Sequence, residues 1–454
     1  MTRVIIAGGG LAGLAAAVRL SNHPLDILLL ESAPRLGGRS WSFPHAHSSG
    51  AVDNGQHVLM GCYRDTLDYL ERIGRGHLLE RRRGLALQFV HADGRRARLK
   101  AGDLPHPLGL VQAFLRYRML SPASRLRILR AATRLRSLRE RDLEALDSTD
   151  AATWLRALGQ RDDAICNFWQ PLVLATMNTE PGQASAKLLT VVLREIFLRN
   201  ADAADMLLPG DGLSTVFVDG ARELLEERGC DIRQRSAVQK LITDEGAVRG
   251  VHLADGTELR ADAVISALPP WALRRVFEYS QSRVLPAIDF ERFLPSPIVS
   301  VHVWLRGKLD AGPMTGLLDT TLQWVFDKGE NGDGSRHYSC TISAAAGRVV
   351  DMGEEELRAL LLRELRLLRA DLGEEDILRV LPVREKRATF LPLPGMERLR
   401  PAARSGMPGL YLAGDWTATG LPATIEGAVR SGYAAAAAFA EDVLSGPAAH
   451  PSAR

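Results

Sequence analysis

Three glycines near the start of the chain limit what it can fold into. Gly8, Gly10 and Gly13 form a Gly-x-Gly-x-x-Gly pattern between Val4-Ile5-Ile6-Ala7 and the Ala/Leu-rich stretch Leu11 to Leu20. The first segment is apolar on both faces, as a central parallel strand requires. The second reads as a helix, and Asp26 to Leu30 as a second strand ending at Glu31. This is a strand–helix–strand unit. The first glycine makes the tight turn. The second lets the backbone approach a pyrophosphate at the helix N-terminus, and the third lets helix and strand pack closely. Glu31 stands eighteen residues beyond Gly13, where a carboxylate accepts both ribose hydroxyls of an adenosine. The pattern predicts an α/β chain with a Rossmann-type dinucleotide-binding domain.

The segment Glu31-Ser32-Ala33-Pro34-Arg35-Leu36-Gly37-Gly38-Arg39 narrows the dinucleotide. A plain NAD site has no need of an arginine after a Gly-Gly pair. At a flavin site the glycines let the chain pass the isoalloxazine edge, and Arg39 meets the pyrophosphate. In this combination the chain resembles the flavin-containing amine oxidase and phytoene desaturase superfamily, which implies FAD. The resemblance places Gly8, Gly10, Leu11, Ala12, Gly13, Glu31, Ser32, Arg35, Gly37, Gly38 and Arg39 around that cofactor. It continues at Leu410-Tyr-Leu-Ala-Gly414-Asp415, where the strand would deliver Asp415 to the ribityl–phosphate region. Glu426-Gly427-Ala428 would open a helix whose N-terminal dipole stabilises the anionic reduced flavin. Without the resemblance, Asp415 reads equally well as a helix N-cap. Val238 corresponds to a residue that pairs with adenine, and reads otherwise as an ordinary strand residue. The matching stretches are residues 4–60, 205–270 and 383–440. No cysteine stands in a flavin-attachment context near Gly414-Asp-Trp416, so the FAD is expected to be non-covalent.

Asp53-Asn54-Gly55-Gln56-His57, with Asn167-Phe-Trp-Gln-Pro171 and Asn178-Thr179, is most similar to the squalene-associated branch of the superfamily. That branch includes the bacterial hydroxysqualene dehydroxylases of squalene and hopanoid synthesis. The resemblance implies reductive removal of an allylic hydroxyl from a C30 isoprenoid. Such a reaction needs reduced flavin, an apolar tunnel, an acid near the hydroxyl and exclusion of water. Asp53 and His57 are the catalytic candidates, with His57 as general acid. A loop-holding aspartate and a hydrogen-bonded core histidine are the plain alternatives. Trp154, Phe168 and Trp169 would wall a tunnel or fill the core. Three other functions stay open: a carotenoid-type desaturase, an amine oxidase, and a non-catalytic FAD-binding partner of prenyl synthases. An amine oxidase would need an aromatic cage, of which Ala388-x-Phe390 supplies half. There is no second Gly-x-Gly-x-x-Gly, so no dedicated NADPH domain is expected and the electron donor stays unidentified.

The 454 residues suit two domains, with an FAD domain assembled from separate pieces. Residues 1–62, 205–272 and 401–445 are assigned to the FAD domain. Residues 63–204 form a helical and 273–400 a sheet part of a substrate domain, and 446–454 a flexible tail. Helices are expected over 64–80, 108–146, 150–204 (broken at Pro171 and Pro181), 213–228, 354–369 and 425–444. Strands are expected over 247–253, 258–260, 263–267, 298–305, 336–344 and 410–413. Asp255-Gly256 signals a hairpin.

A net charge of +3 gives no reason to expect nucleic acid. The four cysteines show no metal spacing, so no metal site is expected, and they read as buried reduced thiols. No run of about 18 apolar residues is present. Residues 108–141, however, carry nine arginines against one acid, interleaved with Leu110, Val111, Phe114, Leu115, Leu126, Ile128, Leu129, Leu135 and Leu138. A basic amphipathic segment of this kind docks on an anionic bilayer, or is a solvated helix with its apolar face in the core. The expected location is cytoplasmic, peripheral on the inner face of the membrane.

Overall fold

A computed structural model describes residues 1–102, 104–280 and 286–444. The expected tail at 446–454 lies outside them. The glycine-bearing unit forms the middle of a five-stranded parallel sheet ordered 231–233, 26–30, 3–7, 263–266, 410–412. Its strands come from three distant stretches of chain. Val4, Ile5 and Ile6 are fully buried, because the sheet is covered on both faces. One face carries the helices Leu11–Leu20, Gly220–Glu227 and Ile425–Phe439. The other carries the antiparallel strands 238–244, 247–253 and 258–260. Helices 11–20 and 425–439 approach closely because Gly432 has no side chain: a Cβ there would lie 2.2 Å from the Ala12 carbonyl oxygen.

A seven-stranded sheet is ordered 377–390, 295–306, 335–343, 324–330, 314–318, 86–91, 96–100. All its pairs are antiparallel except 314–318 with 86–91. The helix Glu354–Leu365 packs on one face through Leu357, Leu360, Leu361 and Leu365. Helices 108–116, 122–137, 151–157, 170–177 and 186–193 surround a separate apolar core that includes Phe89 and Leu99 of this sheet.

Several expectations change. The helix expected over 64–80 ends at Arg72, and Leu79–Arg82 is a strand paired with 206–209. Helix 64–72 packs into the core of the parallel-sheet domain through Tyr69 and Leu70. Strands 86–91 and 96–100 lie inside the stretch expected to be helical, and join the large sheet instead. Pro171 does not break its helix. A widened π-helical turn over Ile165–Trp169 runs straight into Gln170–Met177, so the helix continues through the proline. The break comes at Asn178, in the left-handed conformation. Cys166 is exposed rather than buried, and all four cysteines are free.

Candidate active site

One cavity of about 1090 Å³ is lined by residues of the parallel sheet, the seven-stranded sheet and the helical core. One end is made by the glycine turns. Gly8 has φ +112°, and a Cβ there would press on the Ala267 carbonyl at 2.8 Å. A Cβ on Gly13 would sit 1.9 Å from the Gly8 carbonyl oxygen. Gly10 bridges to Gly37, and the nearest atom to a Cβ on Gly10 is the Gly38 Cα at 3.8 Å. Gly10 is also the N-cap of a ten-residue helix with no side-chain cap and no acid in its first turn. The positive end of that helix therefore faces the cavity uncompensated.

Glu31 accepts hydrogen bonds from the Gly9 and Ala33 amides at 2.8 and 2.7 Å. Arg39 donates to Asp415 Oδ1 at 2.8 Å and to the Ala388 carbonyl at 2.7 Å, joining residues from opposite ends of the chain. Asp415 is therefore not a helix N-cap. That position belongs to Thr424, which accepts from the Gly427 amide. Gly8, Gly10, Leu11, Ala12, Glu31, Ser32, Gly37, Gly38, Arg39, Val238, Gly414, Asp415 and Ala428 all line this part of the cavity.

The other end is apolar. Leu87, Phe89, Leu99, Phe168, Phe197 and Trp324 are among its walls. Two π-helical turns, over 165–169 and 194–198, carry Phe168, Ile196 and Phe197 to the wall. Turns of this type recur where a helix is locally widened at a functional site. Trp169 and Trp154 are buried in the helical core, and the Trp169 indole N–H donates to Gln160. Asn54, Gly55, Gln56 and His57 line the junction between the two ends.

The flavin-containing amine oxidoreductase family matches residues 11–439. The chain belongs to this family. Its curated relatives include hydroxysqualene dehydroxylases from Sinorhizobium fredii and Rhodopseudomonas palustris. Each is 31% identical, over 95% of this chain and 97% of theirs. The 15-cis-phytoene desaturase of Solanum lycopersicum is 24% identical over 97% of this chain and 78% of its own length. Among solved structures, a putrescine oxidase triple mutant superposes with a TM-score of 0.73 at 17% identity, covering 97% of this chain and 99% of its own. Cyclohexylamine oxidase from Brevibacterium oxydans gives 0.69 at 20% identity, covering 98% and 99%. The chain is thus an FAD-dependent oxidoreductase of the amine oxidoreductase family.

The residues present fit FAD. The uncapped helix N-terminus and the open ground beside Gly10 would take the pyrophosphate, with Glu31 and Val238 at the adenosine side. Within this amine oxidoreductase fold, however, several expected site residues do other work. Arg35 is exposed, its guanidinium 3.8 Å from the Trp41 ring centroid, and it does not line the cavity. Glu426 turns away from the cavity. It accepts from the Thr66 amide at 3.0 Å and the Thr66 hydroxyl at 2.8 Å, capping helix 64–72. Burial pushes its carboxyl above the usual range, against those hydrogen bonds. Gly427 and Gly13 serve packing and also lie off the wall.

The catalytic candidates change as well. Asp53 is 2% exposed and fully engaged. It accepts from the Ser42 hydroxyl at 2.8 Å and the Leu213 amide at 2.9 Å, and faces the Lys328 ammonium at 3.4 Å. It holds a loop and does not line the cavity. His57 does line it, but its Nδ1 donates to the Gly55 carbonyl at 3.2 Å and burial lowers its pKa. A neutral imidazole in this tautomer presents an acceptor, so His57 is not poised as a general acid.

The arginine-rich segment divides its apolar residues. Phe114, Ile128 and Leu135 are in the helical core, while Leu115 and Leu126 are exposed together with Leu104 and Leu108. The His106 ring donates from Nε2 to the carbonyl of Phe197, a cavity-wall residue, so the segment bearing Leu104 and Leu108 is tied to the wall of the apolar chamber. Among the described residues no helix is long and apolar enough to cross a membrane.

Proposed function

We propose that this oxidoreductase reductively dehydroxylates hydroxysqualene to squalene, as a step of squalene and hopanoid synthesis. The observation that carries the reading is the cavity itself: a glycine-lined dinucleotide cradle opening directly into an apolar chamber. Similarity to hydroxysqualene dehydroxylases over 95% of the chain supports the choice of substrate. Bound FAD in its reduced form would supply a hydride to the allylic carbon. The chain's own residues would hold the hydrocarbon between Phe89, Phe168 and Trp324, and exclude water from the cation formed when the hydroxyl leaves.

An amine oxidase reading is disfavoured by Phe390. It is 2% exposed, packs against Phe293, and does not face the cavity. The desaturase reading shares the same chamber and differs in the direction of electron flow. An anaerobic single turnover separates the two. Dithionite-reduced enzyme mixed with hydroxysqualene should return to the oxidised flavin spectrum and yield an equal amount of squalene. Flavin that stays reduced would overturn the proposal.

The exposed leucines at 104, 108, 115 and 126, set among exposed arginines, support a second element of the reading. This face would rest on an anionic bilayer at the cytoplasmic side and admit the C30 alcohol from it.

A further inference from the structure

With Asp53 engaged and His57 neutral, the dehydroxylation reading lacks an acid. Among the described residues three carboxylates line the cavity: Glu31, Glu385 and Asp415. Glu31 is held by the Gly9 and Ala33 amides at the dinucleotide end. Asp415 is held by Arg39 at 2.8 Å. The Glu385 side chain makes no hydrogen bond or ion pair with any described residue, although it feels the charge of Arg39.

Its place in the sheet is also informative. Glu385 lies on strand 377–390, opposite Ile298 of strand 295–306, which lines the cavity. Directly opposed residues of an antiparallel pair project from the same face, so Glu385 shares the cavity face. One pair further along, Ser300 stands opposite Thr341. Both line the cavity, and both have buried hydroxyl oxygens without a hydrogen-bond partner. Ser300 Oγ would be 3.2 Å from a Cβ on Gly55, at the junction with the dinucleotide end. Ile298, Met314, Trp324 and Phe326 line the cavity beside them, together with the polar Ser343 and Thr389. A carboxyl and two hydroxyls thus share the cavity face of one sheet.

We infer that Glu385 is the proton donor to the departing hydroxyl, with Ser300 and Thr341 cradling the alcohol oxygen; this rests on the dehydroxylation reading. The C–O bond breaks with its electron pair passing to oxygen, which takes the Glu385 proton and leaves as water. The allylic cation left behind would be quenched by the hydride that bound, reduced FAD supplies, and the Glu385 carboxylate would be reprotonated from solvent. The charged and titratable groups around it are Arg39 with Asp415 and His57 across the cavity, and Arg384, Lys386 and Arg387 on its own strand.

The test compares FAD-loaded wild type with Glu385→Gln and Glu385→Ala. Binding of hydroxysqualene and of squalene to the oxidised enzyme is read from the perturbed flavin spectrum, and anaerobic single turnover from flavin reoxidation. Glu385→Gln should bind both lipids within about threefold of wild type, yet reoxidise on the order of 100-fold slower or more. Acetic acid should restore part of the rate to Glu385→Ala, in proportion to its protonated fraction. Wild-type reoxidation by Glu385→Gln would overturn the assignment. So would a selective loss of alcohol binding, which would make Glu385 an anchor. Absence of turnover in the wild type would instead reject the substrate reading on which the assignment rests.

Discussion

A single methyl group added at Gly13 or at Gly10 should have different consequences. At Gly13 it would collide with the Gly8 carbonyl oxygen at 1.9 Å, a backbone atom that cannot move aside inside the sheet–helix packing. Gly13→Ala should therefore lower the melting temperature and yield little soluble protein. At Gly10 the nearest atom stands 3.8 Å away, so the chain tolerates the methyl. The methyl instead occupies the approach to the helix N-terminus. Gly10→Ala should melt close to wild type but purify with little bound flavin, read from its visible absorbance; full flavin content would argue that the pyrophosphate lies elsewhere. These glycines were legible in the sequence because the demand on them is local: a turn and a close approach. Asp53 and Glu426 were misread for the opposite reason. Their partners, the Leu213 amide and Thr66, are 160 and 360 residues away. Nothing near either residue in sequence announces such a contact.

At the scale of elements, strands 295–306 and 335–343 carry a buried histidine pair. His302 donates from Nε2 to the Asp53 carbonyl at 3.0 Å, so its Nδ1 accepts from His337 Nε2 at 3.0 Å. Trp304 is stacked between His337 and His45, with ring centroids 4.5 and 4.8 Å away. Burial, and for His337 the neighbouring ring as well, holds the two pKa values down, to about 4 for His302 and about 3 for His337. In the unfolded chain both rings take up protons below about pH 6.5. Their contribution to stability is therefore complete above that pH and is lost as pH falls toward 4 and then 3. The slope is at most about 1.4 kcal/mol per pH unit for each ring. Urea midpoints between about pH 7 and 5 should fall less steeply in a His302→Gln/His337→Gln double variant than in wild type; equal slopes would show that other groups govern the acid sensitivity. Strand 295–306 was legible from its alternating apolar pattern. Strand 377–390 was legible only through the family resemblance after Val383, because its own pattern is broken by Pro382, which an edge strand tolerates where one side of the ladder is unpaired. Helices at 354–365 and 425–439 were legible because their periodicity faces a single core.

For the molecule as a whole, the proposed membrane contact rests on arginines whose side chains make no hydrogen bond or ion pair with another described residue. Arg125 and Arg127 donate to the carbonyls of Leu120, Leu115 and Gly159, so they are poor targets. Arg116, Arg118, Arg130 and Arg134 are exposed. Replacing these four by glutamine should leave the flavin spectrum and melting temperature unchanged. It should also weaken sedimentation with anionic liposomes by roughly 1 kcal/mol per charge near the surface, an effect that fades with salt. Unchanged sedimentation would reject this face as the docking surface. The Arg39–Asp415 pair carries a different implication. Its two members are 376 residues apart, so the edge strand that delivers Asp415 is synthesised long after the strands at 3–7 and 26–30. During synthesis the strands at 3–7 and 26–30 are available early, but the cradle stays open on one side until that strand docks. Cofactor capture then awaits the docking of that strand, which ties flavin binding to completion of the sheet.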